Sequence, residues 1–363
     1  MKVLHFYKTY YPDGYGGVQR FIRQMAEGGR AFGFDAEVLT LTSGDPGTIQ
    51  VNGHQVHRVK RLFKAASTDF SFRVLAEFKR RAAMADLIHY HFPYPLADVA
   101  HFWAGSPKPC LVSYHSDIVA QKKLLALYRP LMNRFLRSVP AIVASSPNYM
   151  SSSPVLKSQK SRVRCIPYGL EETLPSPSPD LLETWQRRLP EPFFLFVGAF
   201  RYYKGLEFLL AAAKGLSGPI VLVGEGGQEA ALKAEGLANV HFLGALSDED
   251  KEALLSLCHG VVLPSHLRSE AFGLTLLEGA RQGKPLVSCE IAGGTTYINI
   301  HQETGLVVPP ADPEALKAAL LTLWGNPALA ARLGAGARRR FEELFTAEKM
   351  VRAYVDLYLE LLR

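Results

Sequence analysis

Residues Gly260–Ser288, GVVLPSHLRSEAFGLTLLEGARQGKPLVS, contain one complete unit of a larger pattern. GVVLPS is a short β-branched run that ends in Pro-Ser, as a strand does when it enters a turn. EAFGLTLLEGA then carries apolar residues at helical spacing, and a Gly-Lys-Pro turn returns the chain to a second apolar run, PLVS. The alternation extends both ways. Upstream are KVLHFY, a helix from about Val18 to Phe32, AEVLTLT, DLIHYHF, PCLVSYH, AIVASS and VRCIPYG. It restarts with FFLFVGAF, a helix near Gly205 to Ala213, PIVLVGEGG and VHFLGAL, and runs on through KPLVSC and GLVVPP. Strands alternating with helices predict an α/β chain with mostly parallel, doubly wound sheets of Rossmann-like type.

Leu174–Pro179, LPSPSP, has three prolines in six residues and separates the two series. It reads as a linker, placed at 174–185, between a domain at 1–173 and another at 186–347. The length of 363 residues agrees with two domains. The stretch Pro327–Arg363 is helical in pattern, with Val351, Tyr354, Tyr358 and Leu361 three or four residues apart.

Composition narrows the function. With 48% hydrophobic and 21% charged residues the chain is an ordinary globular protein. No run reaches the roughly 18 apolar residues of a membrane span, and Met1–Tyr7 is too short for a signal sequence. A cytoplasmic location is expected. Four scattered cysteines without CxxC spacing suggest neither a zinc site nor a disulfide framework, so no metal is expected. The net charge of +7 is uneven: the first 172 residues carry 23 Lys+Arg against 12 Asp+Glu, and the remainder is acidic. Ile118–Arg164 holds nine basic residues and no acidic one. Within it Gln121–Ser138 sets Leu124, Leu127, Tyr128, Leu131 and Phe135 on one side of a basic helix, which suits an anionic membrane surface. No nucleic-acid motif is present, and nucleic acid is not an expected partner.

The chemistry-bearing residues follow strands. Tandem domains of this class place a cleft between the carboxyl ends of two sheets, where ligands bind. Glu270 and Glu278 lie eight apart across a strand-to-helix turn, so both carboxylates can face one ligand. Between them the backbone N–H groups of Phe272, Gly273, Leu274 and Thr275 stand at a helix N-terminus, which favours a diphosphate. Lys204 and Arg201 follow the FFLFVG strand, where cations neutralise a departing anion. His115 ends the strand VSYH, and His89 and His91 follow a strand in DLIHYHFPYPLAD. Two motifs are declined. Asp248-Glu249-Asp250 spells a D-x-D, but SDEDKEALLSL reads as Ser247 capping a helix. VGEGGQE has Glu229 where a dinucleotide fingerprint has its third glycine.

Together these segments resemble glycosyltransferase family 4, the retaining, metal-independent enzymes of GT-B fold. They occur in family order: YPDGYGGVQRF with Gly16 and Gly17, VSYHSD with His115, IPYGLE, VGAFRYYKGLEFLL with Arg201 and Lys204, VGEGG with Gly224, and EAFGLTLLE as the E-x7-E element. The resemblance implies that Glu270 holds sugar hydroxyls and Glu278 the ribose diol. His115 would stand beside the donor sugar, Gly16 and Gly17 on a loop whose backbone approaches the donor phosphate or the acceptor, and Gly224 among the residues that bind the donor. It also implies a C-terminal donor domain and an N-terminal acceptor domain completed by the helix 348–363. The family often writes Gly-Arg-Leu where this chain has Ala199 after Gly198, so the arginine's role falls to Arg201 or goes unfilled. Details such as KTYYPDGYGGVQ and GGTTYINIHQETGLVVPP look most like mannosyl- and rhamnosyltransferases of bacterial O-polysaccharide assembly. That likeness implies a GDP-sugar donor, a lipid-diphosphate-linked saccharide acceptor, no cofactor, and work at the inner face of the cytoplasmic membrane. A catalytically silent nucleotide-sugar sensor and a GT-B-type epimerase are the alternatives.

Overall fold

The computed structural model describes residues 1–65, 68–105, 109–119 and 122–363. The chain divides into two compact units, Met1–Tyr168 with Ala347–Arg363, and Gly169–Thr346. Both are α/β.

The first unit holds an eight-stranded sheet. In spatial order its strands are Val163–Cys165, Ala141–Ala144, Cys110–Tyr114, Leu87–Phe92, Lys2–Phe6, Asp35–Thr42, His54–Lys60 and Gly47–Val51. All neighbours are parallel except the last pair, an antiparallel hairpin turned by Asn52 and Gly53, both at positive φ. The strand order reverses direction at Lys2–Phe6, so the loop after that strand lies at a switch point, where α/β sheets take ligands. The helix Gly17–Gly28 follows it, burying Phe21, Ile22 and Met25. The C-terminal helix Ala347–Leu362 belongs to this unit and buries Val351, Tyr354 and Tyr358, while Leu361 is half-exposed.

The second unit has six parallel strands in the order Val240–Gly244, Ile220–Val223, Phe194–Val197, Gly260–Leu263, Leu286–Cys289 and Gly305–Val308. Its switch point lies between Phe194–Val197 and Gly260–Leu263, which pair directly. The loops leaving these two strands carry Arg201 and Lys204 on one side and Glu270 on the other.

One helix occupies sequence that reads as linker. Pro179–Arg188 is α-helical, with Ser178 as its N-cap accepting a hydrogen bond from Leu181 N–H at 3.3 Å. Pro179 sits at the first helical position, where its missing N–H costs nothing, so the last proline of LPSPSP starts a helix instead of breaking one. Trp185 from this helix is buried and donates its indole N–H to Asp250 at 2.9 Å. Asp250 lies in the first turn of the helix Asp248–Leu257, whose N-cap is Ser247, the capping arrangement expected from SDED.

The basic helix spans Lys122–Ser138; Gln121 lies outside the described residues. Its two halves differ. Met132, Phe135 and Leu136 are core residues, whereas Leu124 and Leu127 are 54% and 83% exposed.

Candidate active site

Gly205 brings two strand-exit loops of the second unit together. Its φ is +67°, and a Cβ there would stand 2.2 Å from the carbonyl oxygen of Pro264. Only glycine lets the short turn Tyr202–Lys204 press against the loop leaving Gly260–Leu263. The result is a contact across the switch point: Lys204 Nζ lies 2.5 Å from Glu270 Oε2, with side chains 12% and 11% exposed. Ser265 Oγ donates to the same carboxylate oxygen at 3.3 Å. A buried ammonium and carboxylate satisfy each other, and losing either leaves the other charged and desolvated.

The helix Leu274–Arg281 begins beside this pair. Gly273, at φ +98°, is its N-cap. The first N–H groups of a helix have no carbonyl one turn back and form an electropositive end. Thr275 does not add a free hydroxyl. Its Oγ1 donates to Val197 O at 2.8 Å and ties the helix start to the neighbouring strand. Phe272 is buried, its ring edge-on to Phe345 at 6.1 Å, so it supports the turn. Leu274 and Glu278 are partly exposed while Thr275, Leu276 and Leu277 between them are buried, which puts Glu278 one turn beyond the helix start on its accessible stripe.

Gly224 packs backbone on backbone. At φ +134°, a Cβ on it would lie 2.1 Å from Gly198 O, and Gly198 N–H bonds Val223 O at 2.9 Å. The VGEGG loop therefore shapes the Gly198–Lys204 loop. Arg201 is exposed and, among the described residues, has no ion pair, so its guanidinium is available to an anion.

Gly16 and Gly17 in the first unit lie where the loop after Lys2–Phe6 becomes a helix. Gly16 is the extended N-cap, and its N–H donates to Gln19 Oε1 at 3.2 Å. Phe21, one turn on, stands edge-on to the His115 ring at 5.4 Å. His115 is 6% exposed, and burial pushes its pKa down to about 3, so it is a neutral imidazole. Both of its ring nitrogens are occupied: Nε2 by His91 Nδ1 at 3.0 Å and Nδ1 by the Tyr168 hydroxyl. His89 and His91 are equally buried, which makes them internal hydrogen-bonding groups.

The sequence reading missed Ser265, Gly205, Tyr168 and His5. The alternation in LIHYHF does place His89 and His91 on one face. Strand register, which sets His5 opposite His89, is not written in either segment alone.

Comparison with known proteins accords with this geometry. Residues 15–173 match Glycosyltransferase Family 4, and residues 179–340 match Glycosyl transferases group 1. The chain is 52% identical to D-rhamnosyltransferase WbpZ of Pseudomonas aeruginosa, over 96% of this chain and 93% of the relative. It is 50% identical to O-antigen chain mannosyltransferase C of Escherichia coli, over 100% and 99%. Among solved structures, sucrose-phosphate synthase from Thermosynechococcus elongatus superposes with a TM-score of 0.83 at 25% identity, covering 99% of this chain and 98% of that one. Each half thus matches a glycosyltransferase description, and two relatives match over nearly their full length: the chain belongs to glycosyltransferase family 4 and has the GT-B fold.

Proposed function

We propose that this glycosyltransferase moves a hexosyl group, mannose or rhamnose, from a GDP-sugar to a lipid-diphosphate-linked saccharide during O-polysaccharide synthesis. The observation that carries this reading is 52% and 50% identity, over nearly the full length, to two enzymes named for rhamnosyl and O-antigen mannosyl transfer. The donor binds the second unit. Glu278 holds the ribose diol, the amides from Phe272 to Thr275 and the Gly224 loop receive the diphosphate, and Glu270 and His115 contact the sugar. Gly16 and Gly17 serve the donor phosphate or the acceptor.

Transfer proceeds with retention. The bond from the anomeric carbon to the phosphate oxygen breaks as the acceptor oxygen bonds the same face, and a donor phosphate oxygen takes the acceptor's proton. Negative charge grows on the leaving diphosphate, where Lys204 and Arg201 stabilise it, and every 1.4 kcal/mol of such differential stabilisation is about tenfold in rate. No metal and no cofactor take part; the nucleotide-sugar is a substrate. Mixing enzyme with GDP-mannose or GDP-rhamnose and acceptor should release GDP, and only when acceptor is present. Acceptor-independent conversion would indicate an epimerase, and binding without release a sensor. The same assay in EDTA should proceed at an unchanged rate. A loss restored by Mg²⁺ or Mn²⁺ would overturn the metal-free reading.

The acceptor's lipid places the enzyme peripherally on the inner face of the cytoplasmic membrane. Among the described residues no helix is long and apolar enough to cross one. Exposed Leu124 and Leu127, with Lys123 and Arg129 also exposed on that helix, supply a greasy and cationic contact. Each cation near an anionic surface contributes about 1 kcal/mol, screened by salt. Flotation should show binding to anionic vesicles that falls with salt and falls further in Leu127→Gln. Equal binding to neutral vesicles would remove the electrostatic part of the proposal.

A further inference from the structure

We propose that Tyr168 sets the tautomer of His115, and through it those of His91 and His5, so that the three imidazoles form one two-state hydrogen-bonded relay with Tyr168 as a positioning residue. The kinetic consequence rests on the reading of His115 as a donor-side group; the relay itself does not.

The relay follows from register. His5 pairs with His89 on the adjacent strand, and His89 and His91 alternate onto one face. His91 pairs with Ser113, and His115 continues that strand with its N–H on Phe92 O at 3.0 Å. His5 Nδ1 lies 3.1 Å from His91 Nε2, and His91 Nδ1 lies 3.0 Å from His115 Nε2. Ring centroids are 5.3 Å apart in both pairs, with planes inclined by 15° and 14°. At that separation, nearly coplanar rings meet edge to edge, as an in-line N–H···N bond requires. Tyr168 closes the line at His115 Nδ1, and it is the last residue of the first unit before the chain enters the second.

Each ring is buried and neutral, with burial the main cause, and among the described residues no carboxylate bonds any of the three. A neutral imidazole has one N–H and one lone pair, so each bond in the line dictates the next. If the Tyr168 hydroxyl donates to His115 Nδ1, then His115 carries its proton on Nε2 and donates to His91 Nδ1. His91 in turn carries Nε2–H and donates to His5 Nδ1. If Tyr168 accepts, all three protons move to Nδ1. Imidazole nitrogen is a better acceptor than phenol oxygen, and burial keeps the phenol protonated, which selects the Nε2–H state. His89 supplies a built-in control. Its partners are the hydroxyls of Tyr358 and Ser113, both at 2.7 Å, which can donate or accept.

Histidine-labelled full-length protein, read by long-range ¹H–¹⁵N correlation, tests the relay. The expected result is Nε2–H at His5, His91 and His115, with mixed tautomers at all three in Tyr168→Phe and no change at His89. Tautomers that differ among the three rings, or a His5 signal unmoved in Tyr168→Phe, would overturn it. So would stoichiometric Zn²⁺ binding lost in His89→Gln, since nitrogens of His5, His89 and His91 lie within 4.8 Å of one another and would then be a metal site. In the transfer assay Tyr168→Phe should lower kcat about tenfold with donor KM changed less than about twofold. Coupled tautomers with kcat intact would remove the positioning role. An inert His115→Ala beside an intact spectral result would instead refute the donor-side reading of His115 and leave the relay standing.

Discussion

Replacing Lys204 with methionine is expected to lower turnover by about 10²- to 10³-fold, the range found when a preorganised stabiliser of transition-state charge is removed. Methionine keeps much of the length and the apolar stem while deleting the charge. The ammonium is 12% exposed and fixed against Glu270 by a turn that only Gly205 permits, so it is placed before the donor arrives. The substitution has a second effect that must be separated from the first. It strands the Glu270 carboxylate, and breaking a buried pair this way costs about 3–5 kcal/mol of stability. Adding Glu270→Gln removes the stranded charge, so the double variant should recover most of the lost Tm. Turnover should stay low, because the cation is still missing and the carboxylate proposed at the sugar is gone with it. If the double variant recovers turnover along with Tm, Lys204 serves only to neutralise Glu270, and the charge argument for catalysis fails.

The fold was legible wherever local pattern decides it. Apolar runs separated by helical spacing are properties of short segments, and twelve such runs became parallel strands of two sheets. The misses came from competing local rules. LPSPSP reads as a breaker because Pro is counted as one; its position relative to Ser178 makes Pro179 a helix start. The hairpin of Gly47–Val51 and His54–Lys60 went unread, although Asn52-Gly53 is a strong turn signal, because GTIQV is short and mostly exposed, with only Ile49 and Val51 alternating onto a half-buried face. In Gln121–Ser138 the periodicity was sound, but pattern alone does not say where core ends and surface begins. Leu124 and Leu127 share the stripe of Phe135 and are exposed.

The site divides along the same line. Glu270, Gly273 and Lys204 were visible because each sits at a strand's exit. That Lys204 meets Glu270 follows from the two strands being neighbours at the switch point, a property of strand order. Ser265, Gly205 and Tyr168 matter through partners 5, 59 and 53 residues away, and nothing in their own segments marks those partners. Thr275 adds a part that the motif does not show: its hydroxyl bonds Val197 O and ties the helix start to the neighbouring strand, while the contact expected of it is through its backbone N–H.

Glu270 and Glu278 share one motif and are expected to fail differently. Glu278 lies on the accessible stripe of Leu274–Arg281, and a contact with the ribose diol is the same before and during transfer. Such uniform binding governs affinity, so Glu278→Ala should weaken nucleoside diphosphate about 10- to 100-fold, the worth of hydrogen bonds to a charged acceptor, with a smaller change in kcat. Glu270 is buried against Lys204; in the role proposed for it, it faces the sugar, whose shape and charge change as the bond breaks. Glu270→Ala should lower kcat about a hundredfold. It also frees the ammonium, so the free diphosphate, which carries no sugar, should bind as well as before or more tightly. Opposite movements of one ligand's affinity are hard to produce by general damage to the fold, because a loosened helix would weaken binding in both variants. Calorimetric titration of the diphosphate into both proteins, with circular dichroism to confirm folding, reads the difference directly. Equal losses of affinity would mean that both carboxylates serve the nucleotide and that Glu270 has no role at the sugar.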